Sequence, residues 1–365
     1  MEDHSSFLKR RFIIDGEQKT VTPFRMLQDC MQGGEDIPPE TSAEGAVVDE
    51  TLDLFPSNFV FDSARIRDYL LLTESRAGFR RAVPPVFAGS FTAGRVARAL
   101  IDALWMSGHF TMEDLALKAE WKWNTAPVGL SAALYDSVEA ATSYIDALGL
   151  EIDGYTFTEN PGGRCLVSFK AVDAGHPKMG KKRFCPASLA DDPSGWILYI
   201  PFDPCDFRLG GSVLSEETGA RSSLGPDISD ADYFIDCFEV IREMVEDGVI
   251  IAGATVSDGG LLTALKGMCK GGLGASIDIT SIRDAYGELP VRILFSEVPG
   301  VLVQIRDQDF DYVDAELILQ DIAYFPLGHT VRDADSQITV NYDSKSGVAG
   351  ILQSLLSGQA SEGED

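Results

Sequence analysis

The sequence is poor in basic side chains and in the residues that most often bind transition metals. Only 30 of its 365 residues are Lys or Arg, against 57 Asp or Glu, which gives a formal charge of -27 at pH 7. An acidic excess of this size repels phosphate backbones and anionic lipid surfaces, so the composition disfavours nucleic-acid and membrane-surface binding. The four histidines form no metal-binding spacing with one another or with a cysteine, which disfavours a zinc site.

Long apolar runs and paired cysteines are also missing. No stretch approaches the roughly 18 apolar residues of a membrane helix, and residues 1–12 carry charges without the apolar run of a secretory signal. The six cysteines include no Cys-x-x-Cys pair, and a chain of this length does not need disulfides to fold. These absences predict a cytoplasmic protein with free thiols and no membrane segment.

What the sequence does contain is apolar material for a large core, arranged with helical and strand periodicities. Apolar residues recur at spacings of three and four over 134–148 and 234–245, and a glycine follows each stripe. These patterns predict two helices, and a third is predicted over 261–268. Strands are predicted at 166–171, 196–200, 249–252, 275–279, 301–305 and 338–342. The mixture indicates an α/β or α+β fold.

Changes in composition divide the chain into four parts. Residues 33–53 are rich in Gly, Pro, Glu, Ser and Thr, which is typical of an exposed linker. The last nine residues are small and acidic and predict a disordered tail. We therefore expect an N-terminal arm and linker over 1–50, one domain over 51–190, a second over 191–345 and an acidic tail over 346–365.

Two segments attract attention by pattern alone. The glycine spacing at 89–96 copies a phosphate-binding loop, but Arg95 and Val96 stand where that loop needs a lysine and a hydroxyl. A turn that opens a helix at Arg95 is the favoured interpretation. The basic run at 178–183 is broken by a glycine and predicts a solvated loop, with nuclear import as the alternative.

The more informative segment is Ser257-Asp258-Gly259-Gly260, which lies between a predicted strand and a predicted helix. Free N–H groups and the positive end of a helix attract anions there, and paired glycines let the backbone approach a ligand. Together with Arg95, these four residues are the candidate nucleotide- or phosphate-binding residues. The alternative is that Ser257 or Asp258 only caps the helix and the glycines make a tight turn.

Several collinear motifs resemble one enzyme family. Four of them follow the order found in the C-terminal half of large-type phosphoribosylformylglycinamidine synthase. They are Ser-Asp-Gly-Gly-Leu at 257–261, Leu-Phe-Ser-Glu-Val-Pro-Gly at 294–300, Leu-Gly-Gly-Ser at 209–212 and the helix at 133–140. The resemblance extends over 49–342. It implies a two-domain aminoimidazole ribonucleotide (AIR) synthase-like fold: an N-terminal domain whose strands join a second copy in a shared barrel, and a C-terminal α/β domain.

The resemblance also implies a reaction in purine nucleotide synthesis, in which ATP and glutamine convert a formylglycinamide ribonucleotide to its amidine. In the family, an Asp ahead of the Ser-Asp-Gly-Gly motif and the Glu and Asn of a Gly-Glu-Ala-Leu-Thr-Asn helix bind the magnesium that holds the nucleotide. The matching positions here are Thr255, Arg95 and Ala99. Because these groups do not form the oxygen shell that magnesium requires, we expect no metal, no cofactor and no catalytic residue.

Other family positions differ as well. The resemblance places Phe87 where the family has a further aspartate, and residues 154–157 where it has a Gly-Lys-Asp-Ser loop. Of the family's nucleotide contacts, Ser257 alone remains. The pattern therefore predicts a retained scaffold with a degraded Mg-ATP site.

Three functions are compatible with this pattern. The first is a catalytically silent relative that dimerises or docks on a partner subunit. The second is the non-nucleotide half of a split, ATP- and glutamine-dependent synthase, in which another polypeptide supplies the glutaminase and the N-terminal half. The third is a protein that binds phosphate or a nucleotide without metal, through the 257–260 turn and Arg95.

Overall fold

The computed structural model describes residues 6–14, 16–32, 69, 73, 81–219, 224–333 and 335–341, and it has a mixed α/β architecture. Its helices are α1 (Pro23–Cys30), α2 (Ala88–Leu104), α3 (Gly129–Ala147), α4 (Val213–Thr218), α5 (Ala231–Glu246), α6 (Gly260–Met268), α7 (Thr280–Tyr286), α8 (Pro290–Phe295) and α9 (Phe310–Leu319). Its strands are β1 (Ile13–Ile14), β2 (Glu17–Gln18), β3 (Met106–Gly108), β4 (Leu115–Trp123), β5 (Ile152–Glu159), β6 (Leu166–Asp173), β7 (Met179–Arg183), β8 (Trp196–Pro201), β9 (Ile250–Val256), β10 (Leu273–Asp278), β11 (Gly300–Ile305), β12 (Phe325–Arg332) and β13 (Ile338–Asn341).

A six-stranded sheet with the order β13-β10-β12-β8-β11-β9 lies at the centre of the second half of the sequence. Its neighbours are antiparallel except β10 and β13, which are parallel. Every residue of β11 is buried, because both faces of the sheet are covered. Val301 and Val303 face a core shared with α2, α3 and α5, whereas Leu302 faces the core around α6 and α8.

A three-stranded sheet, β5-β4-β6, belongs to the first half of the sequence. Trp121 and Trp123 on β4 are buried in the core formed with α2 and α3, whereas Lys118 and Lys122 alternate onto the opposite face. The described part of the N-terminal arm adds to this core, since Phe7 is buried and stacks on Phe157 of β5 at 6.1 Å between ring centroids.

The periodic segments are confirmed as α3, α5 and α6, and Asp230 caps α5 by accepting a hydrogen bond from the Tyr233 N–H. The predicted strands are present as β6, β8, β9, β10, β11 and β13. Three predicted features lie outside the described residues: residue 342 of the last predicted strand, the linker at 33–53 and the acidic tail at 346–365. In the described part of the chain, every helix is too short or too polar to span a bilayer.

Two local predictions are wrong. Helix α2 begins at Ala88, seven residues before Arg95, so the glycine-spaced segment is helical. Gly89 packs against α3, where an added Cβ would lie 3.6 Å from the Cβ of Ala140, an ordinary van der Waals distance. The helix contact therefore does not require a glycine, and its poor helix propensity does not prevent α2 from forming. The basic run at 178–183 is not a loop either, because its larger part forms β7, which pairs with β3.

Arg242 links α5 to the end of α2. Its side chain is only 3% exposed, and its guanidinium donates hydrogen bonds to the carbonyls of Leu104 (2.7 Å), Met106 (2.9 Å) and Gly108. The carbonyls at a helix C-terminus have no partner within the helix and carry partial negative charge. Arg242 therefore supplies both the donors and the cation that this buried helix end requires.

The turn between β9 and α6 depends on two glycines. Gly259 and Gly260 have φ of +83° and +74°, a backbone conformation that side chains disfavour. A Cβ on Gly260 would also lie 2.7 Å from the backbone of Phe295 at the end of α8. The glycine pair thus brings α6 and α8 into backbone contact, which no larger residue would allow.

We expect Arg242→Met to lower the free energy of unfolding by about 3 kcal/mol, because the carbonyls of Leu104, Met106 and Gly108 lose the donors of a buried guanidinium. The stability of Arg242→Lys should lie between those of Arg242→Met and the wild type, since an ammonium group cannot reach all three carbonyl oxygens. Urea denaturation measures the difference. Arg306→Met, which removes an exposed pair with Asp309, is the control and should cost less than about 1 kcal/mol. Equal stability of the Arg242→Met variant and the wild type would contradict this account.

We expect Gly260→Ala to lower the free energy of unfolding by about 2–4 kcal/mol, because the new Cβ meets both a positive φ and the Phe295 backbone. The matched control is Gly267→Ala in the same helix, where an added Cβ meets nothing within 4 Å. That substitution should raise stability by about 1 kcal/mol through helix propensity. Thermal and urea unfolding of both variants check the contrast, and the same sign for both would refute it.

Candidate functional site

A cavity of about 1010 Å³ lies between α2 and the turn from β9 to α6. The structure brings together the three positions that the resemblance matched to magnesium ligands, because all three line this cavity: Thr255, Arg95 and Ala99. Ser257 and Asp258 also line it. The remaining lining residues are Thr73, Arg81, Ala82, Arg98, Asp102, Arg164, Val167, Ser168, Phe169, Val213, Glu216, Glu217, Thr263 and Ala264.

Three arginines surround the carboxylate of Asp258. Arg95 makes a two-pronged contact, with Nη1 2.8 Å from Oδ2 and Nη2 2.6 Å from Oδ1. Arg98, three residues further along α2, places Nη1 2.9 Å from Oδ2, and Nη1 of Arg81 lies 3.4 Å from Oδ1. Paired hydrogen bonds between a guanidinium and a carboxylate are among the strongest that side chains form. Asp258 thus connects α2 to the β9–α6 turn through ion pairs.

The charge of Asp258 is strongly favoured by this arrangement. Burial alone would raise the pKa of its carboxyl group, but Arg95, Arg98 and Arg81 together outweigh burial and lower the pKa to about 2. The side chain is 30% exposed, and it faces the cavity between the arginines. Asp258 is therefore ionised throughout the neutral and mildly acidic range.

Glu297 occupies the start of two helices at once. Its Oε1 accepts hydrogen bonds from the N–H groups of Val213 (2.8 Å) and Gly259 (2.9 Å), at the beginning of α4 and α6, while Arg81 donates to Oε2 at 2.8 Å. Burial raises the pKa of Glu297, and Arg81 opposes that effect. The N–H of Gly259, which the sequence marked as an anion donor, is thus used by a carboxylate of the chain itself.

Arg81 joins the two acidic groups. It also donates to the carbonyl of Gly211 and lies 3.0 Å from Glu216, and its side chain is only 8% exposed. Burial alone would lower the pKa of Arg81, but Glu297, Glu216 and Asp258 raise it above its ordinary value. The guanidinium is therefore a permanent cation that is shared among three carboxylates.

Thr255 also belongs to a hydrogen-bonded chain. The Trp105 indole N–H donates to its Oγ1 at 2.9 Å, and its hydroxyl donates to Oδ1 of Asp102 at 2.6 Å. Beside it, Ala99 offers a methyl group and Arg95 a cation. This donor set does not suit Mg²⁺, which binds six oxygen ligands or waters in near-octahedral geometry. No cluster of three or more His, Cys, Asp or Glu side chains in the described ranges is placed to hold a metal.

The other family-matched positions lie at different places. Phe87 lines a smaller cavity of about 40 Å³, where an added Cβ on Gly210 would come within 2.7 Å of its ring. Residues 154–157 form part of β5 and not a loop. Neither position contributes a group that binds phosphate.

The sequence did not assign a role to Arg81, Arg98 or Glu297. The spacing of Arg95 and Arg98 was a usable signal, because residues three apart share one face of a helix. No local pattern connects Arg81 with Asp258, which are 177 positions apart. Arg98, which is 39% exposed, and Arg164, which is exposed, both line the cavity, and Arg98 does so while it is paired with Asp258.

Residues 206–341 match the family model described as AIR synthase related protein, C-terminal domain. The chain is 27% identical over 229 residues to human phosphoribosylformylglycinamidine synthase, which covers 60% of the chain and 17% of that protein. It is 25% identical over 259 residues to a probable phosphoribosylformylglycinamidine synthase of Arabidopsis thaliana, covering 67% of the chain and 18% of the relative. The chain spans less than a fifth of the length of these relatives.

Solved structures share the fold. PurL from T. maritima in complex with FGAR superimposes with a TM-score of 0.54 at 18% identity, over 74% of this chain and 44% of that one. Phosphoribosylformylglycinamidine synthase II from Thermotoga maritima gives 0.51 at 16% identity, over 74% and 43%. The mixed α/β fold expected from the motifs is thereby confirmed. Residues 206–341 thus carry an AIR synthase-related C-terminal domain, and the chain is homologous to phosphoribosylformylglycinamidine synthase over about 60% of its length.

Proposed function

We propose that this chain is a catalytically silent homologue of the C-terminal half of phosphoribosylformylglycinamidine synthase, linked to purine synthesis in the cytoplasm through a second copy or a partner subunit. The observation that carries the proposal is the ion pair between Arg95 and Asp258, at 2.6 and 2.8 Å. A guanidinium fixed to α2 supplies, at a position matched to a magnesium ligand, the positive charge that the family takes from an exchangeable ion.

The charges that line the cavity argue against tight nucleotide binding. Four carboxylate side chains line it, those of Asp102, Glu216, Glu217 and Asp258, and four guanidinium groups balance them, those of Arg81, Arg95, Arg98 and Arg164. Arg81 and Arg95 are already paired with carboxylates, so without a divalent ion a triphosphate would meet little uncompensated positive charge. We therefore propose that neither Mg²⁺ nor ATP is a working cofactor of this chain.

The three-stranded sheet is the surface that supports the proposed docking. In the described residues, helices α2 and α3 cover one face of β5-β4-β6, and the other face presents polar side chains such as Lys118, Lys122 and Thr156. The family resemblance implies that this sheet joins a second one in a shared barrel. We propose that a second copy or a partner subunit supplies those strands.

A second candidate function is supported by one observation. Arg98 and Arg164 line the cavity together with Ser257, which is the one retained family contact. Two guanidinium groups and a hydroxyl can hold a phosphate without metal. In this case Ser257, Asp258, Gly259, Gly260 and Arg95 would form the floor of an anion site, with Asp258 orienting the arginines.

We expect isothermal titration of the wild-type chain with Mg-ATP to give no binding tighter than about 1 mM, because the oxygen ligands are missing. A triple variant with Arg95→Glu, Ala99→Asn and Thr255→Asp restores the family ligand types and should bind Mg-ATP more tightly, with the gain abolished by EDTA. The triple variant's fold is checked by circular dichroism.

Three results would count against parts of this proposal. Micromolar binding of Mg-ATP by the wild type would refute catalytic silence through loss of the metal site. Binding of ATP or inorganic phosphate that persists in EDTA would favour the metal-independent candidate. A folded triple variant that binds no better than wild type would show that the replaced ligands are not the cause.

We expect Asp258→Asn to lower the free energy of unfolding at pH 7 by about 2 kcal/mol or more, because three guanidinium groups lose their shared carboxylate. The folded pKa of about 2 lies below the ordinary 3.8, so the stabilisation is complete above about pH 5 and is lost as the pH falls toward 2. The difference between variant and wild type should shrink to about half at pH 3.

Urea denaturation between pH 7 and pH 3 measures this effect. Asp191→Asn, which removes an exposed pair with Arg332, is the matched control and should have a clearly smaller effect. A pH-independent difference between Asp258→Asn and wild type would show that the carboxylate charge does not stabilise the fold.

A further inference from the structure

Helix α9 is apolar on two opposite faces. Val313 and Leu317 point into the core and are 1% and 0% exposed. On the other side, Tyr312, Ile318 and Leu319 are 43%, 64% and 73% exposed, and Ala315 lies exposed between them. A surface helix normally has one apolar stripe, and a second one that faces water marks a contact with another molecule. We call these four exposed residues the α9 patch.

Carboxylates lie near the α9 patch. Glu316 is on α9 itself, and Glu243 and Asp247 are exposed at the C-terminal end of α5. Partial burial and then the charges of all three acids raise the pKa of Tyr312. Arg306, which precedes the same segment, is already paired with Asp309 at 3.1 Å. The patch is therefore an apolar strip with an acidic rim.

Two of the rim acids lie at an unfavourable position. Glu243 and Asp247 are exposed at the C-terminal end of α5, and the last turn of that helix contains no basic residue. The C-terminal end of a helix carries partial negative charge, so carboxylates there are destabilising and a cation is favourable. Arg306 supplies one cation at this end, through a hydrogen bond to the Gly248 carbonyl at 3.3 Å. A basic partner would relieve this repulsion while it covers the apolar strip.

The acidic linker and the acidic tail do not supply that partner. Residues 33–53 contain seven acidic side chains and no basic one, and residues 346–365 contain three acidic side chains and no basic one. A second copy that met the patch symmetrically would place two acidic rims against each other. Charge complementarity therefore favours a different molecule.

We propose that the α9 patch is the docking site for a basic amphipathic helix of a partner protein. Its apolar side chains would cover Tyr312, Ile318 and Leu319, and its Lys or Arg side chains would pair with Glu243 and Asp247. This mode, an apolar helical stripe against an apolar surface with complementary charge at the rim, is a recurring form of peptide recognition. The inference deepens the proposed docking role and is independent of whether a nucleotide binds.

The probe is a fluorescein-labelled 15-residue peptide of Leu and Lys, with Leu at spacings of three and four. Fluorescence anisotropy with the full chain measures its Kd at low and at physiological salt. We expect it to bind at least tenfold more tightly than a scrambled peptide of the same composition, and a Leu/Glu peptide not to bind. Ile318→Asp with Leu319→Asp, and separately Glu243→Lys with Asp247→Lys, should each weaken binding at least tenfold.

Two controls separate this site from the general acidity of the chain. Val128→Asp changes an apolar side chain that is 90% exposed elsewhere, and Glu151→Lys reverses an exposed charge far from the patch along the chain. Both should leave the Kd within twofold. Equal loss in the controls, or equal binding of the scrambled peptide, would overturn the proposal.

Two further measurements keep the outcome clear. Melting temperatures of all variants should be no lower than that of the wild type, since every substituted side chain is exposed. A wild-type dimer in sedimentation velocity that Ile318→Asp dissociates would assign the patch to a second copy and refute a basic partner. Failure of the peptide to bind leaves the titration with Mg-ATP unaffected, so the two proposals fail separately.

Discussion

The contact between Asp258 and three guanidinium groups holds the cleft of this protein together. Removing charges from water is costly, and a partly buried ion pair stabilises a fold only when good geometry and several hydrogen bonds repay that cost. Here, one carboxylate receives donors from α2 and from the segment before it. The position of α2 against the β9–α6 turn, and hence the shape of the cavity, follows from that contact.

The same cleft shows how an anion-binding geometry can be retained and used internally. The turn keeps the positive φ values and the helix start that suit a phosphate, but Glu297 accepts the backbone hydrogen bonds there and Arg81 neutralises it. In a Mg-ATP site, a metal would balance the phosphate charge. In this chain, arginine and carboxylate side chains balance each other, so the network is electrically complete without a ligand.

Periodicity in the sequence was sufficient to place α3, α5, α6 and five of the six strands of the large sheet, since local apolar spacing decides such elements. It did not predict the sixth strand, β12. It misplaced the start of α2, because the two glycines suggested a turn, whereas the buried apolar face of α2 keeps both of them helical. The candidate site was only partly visible. The family motifs located the 257–260 turn and Arg95, whereas the roles of Arg81 and Glu297 depend on contacts between distant parts of the chain.

The strand order of the central sheet has a consequence for biosynthesis. Strand β8 lies between β11 and β12, which follow it by about a hundred residues, and β10 lies beside β13 at the end of the described chain. A ribosome adds roughly 5–20 residues each second, so β8 waits for several seconds before either neighbour emerges. During that interval the apolar residues of β8 lack their partner strands, and chaperones that bind nascent chains can bind them.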